Sequence, residues 1–160
     1  MDYSAFTSSY SGLSNRLVNK VTVESANYTI ETDAQWDTGA TGTCIAEEVA
    51  VALHLIPIGR VKVATPTGED IRNTYCVDII LPNHVTFPNV IVIDSEIGKQ
   101  GIGLLVGMDI IMQGDFAVSN FNGKTIFTFR HPSQGNLNFV KDQQIRSLIG
   151  PPHGKGRKKK

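Results

Sequence analysis

Residues 36–43 read Trp36-Asp37-Thr38-Gly39-Ala40-Thr41-Gly42-Thr43. An aspartate followed by a hydroxyl residue and a glycine presents a carboxylate on a tight turn, because glycine lets the backbone approach closely and take up angles that a side chain forbids. Asp-Thr-Gly is also a favourable turn with no chemistry attached, so the flanking segments decide between a plain turn and a site. Upstream, Leu17, Val21 and Val23, then Tyr28 and Ile30, alternate with polar residues on either side of Ser25-Ala26-Asn27. That is the pattern of two half-buried strands around a turn. Downstream, Thr43 is placed to cap a helix running through Leu53, with Glu47 and Glu48 near its first turn and Ile45, Val49 and Leu53 on one face.

Further along, Arg60 to Ala64 and Ile71 to Leu81 flank Thr65-Pro66-Thr67-Gly68. The proline and glycine suit a type I turn, which predicts a long β-hairpin. A strand follows over Val90 to Ile93, then an apolar run at Leu104 to Val106 and a short helical piece from Met108 to Gln113. Phe116 to Phe121 and Thr125 to Phe129, around Asn122-Gly123, predict a last hairpin. Residues 1–14 are rich in Ser and Tyr without periodicity and read as a mobile arm. Many short strands with one or two small helices predict an all-β domain over residues 15–132. Residues 133–160 read as an extension ending in a disordered polybasic tail.

The 160 residues hold 15 Lys and Arg and 15 Asp and Glu, and the resulting net charge of zero hides a division. Lys155, Arg157, Lys158, Lys159 and Lys160 lie in the tail, which leaves ten basic against fifteen acidic residues in the body, a net of −5. The tail reads as solubilising. Nucleic-acid contact by it is not favoured, because no aromatic residue is interleaved and the body is acidic. Membrane attachment is not expected either, since a polybasic run needs a second anchor. The longest apolar stretch, Ile102 to Met112, is broken by Asp109 and falls short of the roughly twenty residues of a membrane span. The first residues have no signal-like pattern, so the cytoplasm is the expected compartment, with Cys44 and Cys76 reduced. His54, His84, His131 and His153 are scattered without ligand spacing, so no metal is expected. Neither a Gly-x-Ser-x-Gly elbow nor a Walker or dinucleotide fingerprint occurs, so no cofactor is expected. Asp109 reads as a helix cap or an internal hydrogen-bond acceptor.

Trp36-Asp37-Thr38-Gly39-Ala40, with Thr43 three residues on, resembles the active-site turn of retropepsin-like aspartic proteases. The hairpin at Thr65 to Gly68 stands in the position of that family's flap. The stretch Leu104-Leu105-Val106-Gly107-Met108-Asp109-Ile110-Ile111 resembles the element that threads beside its catalytic turn. The resemblance spans about residues 15 to 131, and Gly107 through Arg130 looks most like bacterial and phage-type members. It implies a half-barrel acting as a homodimer, with Asp37 catalytic and Thr38, Gly39 and Ala40 supporting the turn. Thr65, Pro66, Thr67 and Gly68 would close over a peptide or protein substrate. Gln35-Trp36 departs from the apolar strand that often precedes the family's Asp, and the flap carries a single glycine and a proline. Asp-Thr-Gly occurs once in the chain. Peptide hydrolysis of this kind needs two carboxylates sharing one proton, so the second must come from another copy. The alternative is a retropepsin-like module that binds peptides or assembles with little or no hydrolysis.

Overall fold

Alternating apolar and polar side chains, with β-branched residues that suit a pleated surface, draw most of the chain into strands. The computed structural model describes residues 3–65 and 68–149. Its strands are β1 (Ser4–Ser9), β2 (Val18–Ser25), β3 (Tyr28–Trp36), β4 (Cys44–Ala46), β5 (Gly59–Thr65), β6 (Gly68–Ile80), β7 (Thr86–Ser95), β8 (Leu104–Val106), β9 (Asp115–Ser119) and β10 (Ile126–His131). The helices are α1 (Glu47–Ala52), α2 (Met108–Ile111) and α3 (Phe139–Ile149). The expected all-β class is the observed one, with a third helix beyond the one or two expected.

β2 and β3 form the predicted pair, in register from Val18↔Gln35 to Ser25↔Tyr28. Val21, Val23, Ala34 and Trp36 point into the core, while Lys20 and Glu31 stay outside. The larger sheet runs β2-β3-β8-β4-β7-β6-β5. β2 also pairs with β6, from Thr22↔Ile80 to Glu24↔Asp78, so the sheet curls back on itself and encloses its apolar face. Val23, Ile45, Ile79, Val92 and Leu104 lose all solvent contact there. Burial of such a side chain stabilises by roughly 1.5–3 kcal/mol, which makes this enclosed set a main source of stability. β8, only three residues long, runs parallel to β3 and antiparallel to β4.

The smaller sheet runs β1-β10-β9, all antiparallel. Its Phe6, Phe127 and Phe129 are buried and surround Trp36 of the larger sheet, with ring centroids 5.8, 5.8 and 5.0 Å away. One continuous core therefore spans both sheets.

Four expectations change. The arm expected over residues 1–14 contains β1, whose six residues pair with β10 from Ser4↔His131 to Ser9↔Ile126. Only Phe6 of that strand is buried, so the sequence carries almost no alternation to announce it. The body therefore begins at β1 rather than at residue 15. The helix expected from Thr43 to Leu53 is shorter: Cys44–Ala46 is drawn into the sheet by β7 and β8, and α1 starts at Glu47. The last hairpin closes through residues 120–125, with Asn122 and Gly123 both at positive φ, rather than through a two-residue Asn-Gly turn. Beyond His131 the chain is not simply an extension. Ser133 and Gln134 bind back to β9, and α3 follows. The polybasic tail lies outside the described residues.

That return contact is a clamp on Asp115. Its carboxylate accepts hydrogen bonds from Ser133 Oγ at 2.5 Å, Gln134 N–H at 2.8 Å and Arg130 Nε at 2.8 Å. The Ser133 and Gln134 donors, then the Arg130 guanidinium, pull its pKa from 3.8 down to about 2. The folded value lies below the unfolded one. The clamp's stabilisation is therefore complete above pH 3.8 and fades as the pH falls through about 2. Asp115→Asn is expected to lower stability near neutral pH and to leave less acid sensitivity in that window. Urea denaturation followed across the acid range checks both.

Candidate active site

The Asp37 turn is built by the end of β3. β3 runs parallel to β8 from Ala34↔Leu104 to Trp36↔Val106, and the Asp37 N–H donates to Val106 O at 3.0 Å. Asp37 is thus the first residue past the strand, held by one last ladder bond. Ala40 N–H then donates to Asp37 O at 3.2 Å, which closes the turn. Gly39 N–H donates to Asp37 Oδ1 at 2.8 Å. A Cβ on Gly39 would stand 3.1 Å from that same oxygen, tight enough to disturb it. Asp37 is half-buried, while Thr38 and Gly39 are exposed. Among the described residues, Asp37 Oδ2 accepts no hydrogen bond, so one carboxylate oxygen is fixed and the other has no protein donor.

A second layer holds the turn from behind. Thr43 is fully buried. Its Oγ1 donates to Asp109 Oδ1 at 2.7 Å and accepts from Gly107 N–H at 3.2 Å, and its N–H donates to Asp109 Oδ2 at 3.0 Å. Asp109 also accepts from Ile110 N–H at 3.0 Å. Met108 N–H reaches Ala40 O at 2.8 Å. A Cβ on Gly107 would lie 2.5 Å from the backbone of Gly42, so glycine is required for this approach. Asp109 is the internal acceptor that the sequence pointed to. Its partner Thr43, read there as a helix cap, is instead the linchpin of the turn.

Beside Asp37 lies a recess of about 350 Å³. Trp36 and Phe116, stacked at 5.5 Å with planes 6° apart, form its apolar wall. Asn15, Arg16, Gln35 and Thr38 bring polar groups to it. The Trp36 indole N–H donates to Asn19 Oδ1 at 2.6 Å, so the buried ring has no orphaned donor. Asn15 and Arg16 were not singled out by the sequence, and Leu17 was read there only as an apolar strand residue. Leu17 O accepts the Trp36 backbone N–H at 2.8 Å, a register that only pairing reveals. Cys44 is no competing nucleophile: burial first, then the nearby Asp109 and Asp37 charges, push its thiol pKa up. No three metal-ligating side chains gather among the described residues. The expected flap corresponds to the β5–β6 hairpin, whose closing pair is Thr65↔Gly68. Pro66 and Thr67 lie outside the described residues.

No family model matches the chain, and no curated protein does. Among solved structures the chain is similar to a retropepsin-like aspartic protease from Rickettsia conorii. That likeness has 14% identity and a TM-score of 0.49, and it covers 82% of this chain and 97% of that one. The chain is also similar to the Simian Foamy Virus (mac) protease, at 20% identity and a TM-score of 0.42, over 58% of this chain and 89% of that one.

Thr43→Val keeps the shape of the side chain but strands the buried Gly107 N–H and takes from Asp109 Oδ1 one of its two donors. It is expected to cost about 2 kcal/mol of stability, read as a lower urea midpoint at unchanged slope.

Proposed function

We propose that this chain is a retropepsin-like aspartic endopeptidase that works as a homodimer. The observation that carries the reading is the Asp37 carboxylate. It stands on a tight turn with one oxygen held by Gly39 N–H at 2.8 Å and the other unpartnered among the described residues. A lone carboxylate of this kind has no acid to act with. Two copies of Asp37 brought together on a two-fold axis would share one proton, because like charges that close cannot both ionise. The ionised member takes a proton from a water as it attacks the scissile carbonyl. The protonated member polarises the carbonyl oxygen and later supplies the proton that the leaving amine needs. Titration then belongs to the pair and not to either Asp37.

The surrounding residues fit supporting roles in that reaction. Gly39 fixes the carboxylate plane, Thr38 is exposed where a second copy can meet it, and Ala40 ties the turn to α2 through the Met108 N–H. The β5–β6 hairpin, with Thr65, Pro66, Thr67 and Gly68 at its end, closes over an extended peptide held as an added strand.

Asp37→Asn retains an oxygen able to accept from Gly39 N–H but no longer ionises. It is expected to keep the fold and the dimer while cleavage of an unstructured protein falls by at least about a thousandfold. Cleavage that survives the change sinks the assignment. Sedimentation equilibrium is expected to find dimers at micromolar concentration; a strict monomer under conditions where peptide is cleaved would remove the shared-proton mechanism.

A further inference from the structure

The recess beside Asp37 contains two charged side chains, Asp37 and Arg16. Arg16 is held there from two sides. Its Nε donates to Gln35 Oε1 at 2.7 Å and its Nη2 to the Gln100 carbonyl at 3.2 Å. Its backbone is pinned as well: Arg16 N–H donates to Ser14 Oγ, and Ser14 Oγ donates to Arg16 O at 2.6 Å. Both partners of the guanidinium are neutral, and Arg16 forms no ion pair among the described residues. Lys20, Lys62, Arg72, Lys99 and Arg130, by contrast, each have a carboxylate. A guanidinium has five N–H donors. With Nε and one Nη2 hydrogen engaged, the end formed by Nη1 and the remaining Nη2 hydrogen is left, a fork that matches the two oxygens of a carboxylate.

Position makes this fork relevant to substrate. Leu17, the next residue, accepts the Trp36 backbone N–H, so Arg16 travels with the strand that leads directly into Asp37. The recess joins an apolar wall, Trp36 and Phe116, to the Arg16 side chain. The methylene stem of a glutamate or aspartate suits the wall and its carboxylate suits the fork. We propose that Arg16 is a specificity-determining residue that receives an acidic side chain of the substrate close to the scissile bond. The proposal rests on the peptidase reading above and adds to it a substrate class, peptides with Asp or Glu beside the cleaved bond.

The test uses the full-length enzyme and peptide pairs that differ only in Glu against Gln, placed in turn at each position flanking the cleaved bond. For one of these positions kcat/KM is expected to favour Glu by about tenfold, the scale of a hydrogen bond to a charged group. In Arg16→Gln that ratio falls to about one, and in Arg16→Glu the preference passes to a Lys-containing peptide. Thermal melts of both variants confirm that they are folded. An enzyme that cleaves Glu and Gln peptides equally at every position overturns this proposal and leaves the peptidase reading standing. A Glu preference that survives Arg16→Gln overturns it too. A weaker dimer in Arg16→Gln with an unchanged Glu to Gln ratio assigns Arg16 to a contact between copies and also overturns it. An enzyme that cleaves no peptide of either kind overturns both readings.

Discussion

The geometry of this molecule depends on one buried hydroxyl. Thr43 Oγ1 stands between Asp109 and Gly107 and bonds to both, so it joins the Asp37 turn to the start of α2 through a fully buried side chain. A buried polar group without partners is costly, and one with all its partners present holds a single arrangement firmly. The bonds that Thr43 makes to Asp109 and Gly107 join groups that are far apart in sequence and adjacent in space. The backbone contact of Gly107 with Gly42 can form only because Gly107 has no side chain in the way. The half-buried Asp37 therefore sits on a support far stiffer than its own short turn would supply.

The second constraint is aromatic. Trp36, the residue before Asp37, is wedged among Phe6, Phe116, Phe127 and Phe129. These rings come from the smaller sheet, so the carboxylate is carried by a side chain on which both sheets converge. A ring in so crowded a position has one orientation available, and its N–H fixes that orientation against Asn19. The two supports act on opposite sides of Asp37: the aromatic wedge immediately before it in the chain, the Thr43 network a few residues after.

What could be read without coordinates follows from where the cause of each feature lies. The Asp37 turn was legible because the residues that shape it are consecutive. The β2–β3 pair was legible because Val21, Val23 and Ile30 alternate with polar neighbours. The strand β1 was not, since Ser4-Ala5-Phe6-Thr7-Ser8-Ser9 offers one buried side chain and is made a strand by β10. Nor was β4: Cys44-Ile45-Ala46 runs on into helix-forming residues, and only its two sheet neighbours hold it extended. Asp109 drew notice as a charge in an apolar run, yet its partner Thr43 lies 66 residues away, beyond the reach of any local pattern. Arg16 left no mark at all, because its meaning comes from the strand register that sets it beside Asp37.

The pairing of Ser4 with His131 places the first and last strand residues of the body side by side. The strands of the two sheets thus begin and end at the same point, so the backbone of this two-sheet body is nearly a closed loop. Such a unit can be spliced into an exposed loop of another protein with little separation of the host's cut ends, or its own ends can be bridged and the ring opened elsewhere. Of the natural places to reopen it, the loop at residues 120–125 stands apart from the Asp37 turn in sequence and belongs to neither of its two supports. The order of strands along the chain is in this sense a matter of where the ring happens to be cut, whereas the arrangement around Thr43 and Trp36 is not.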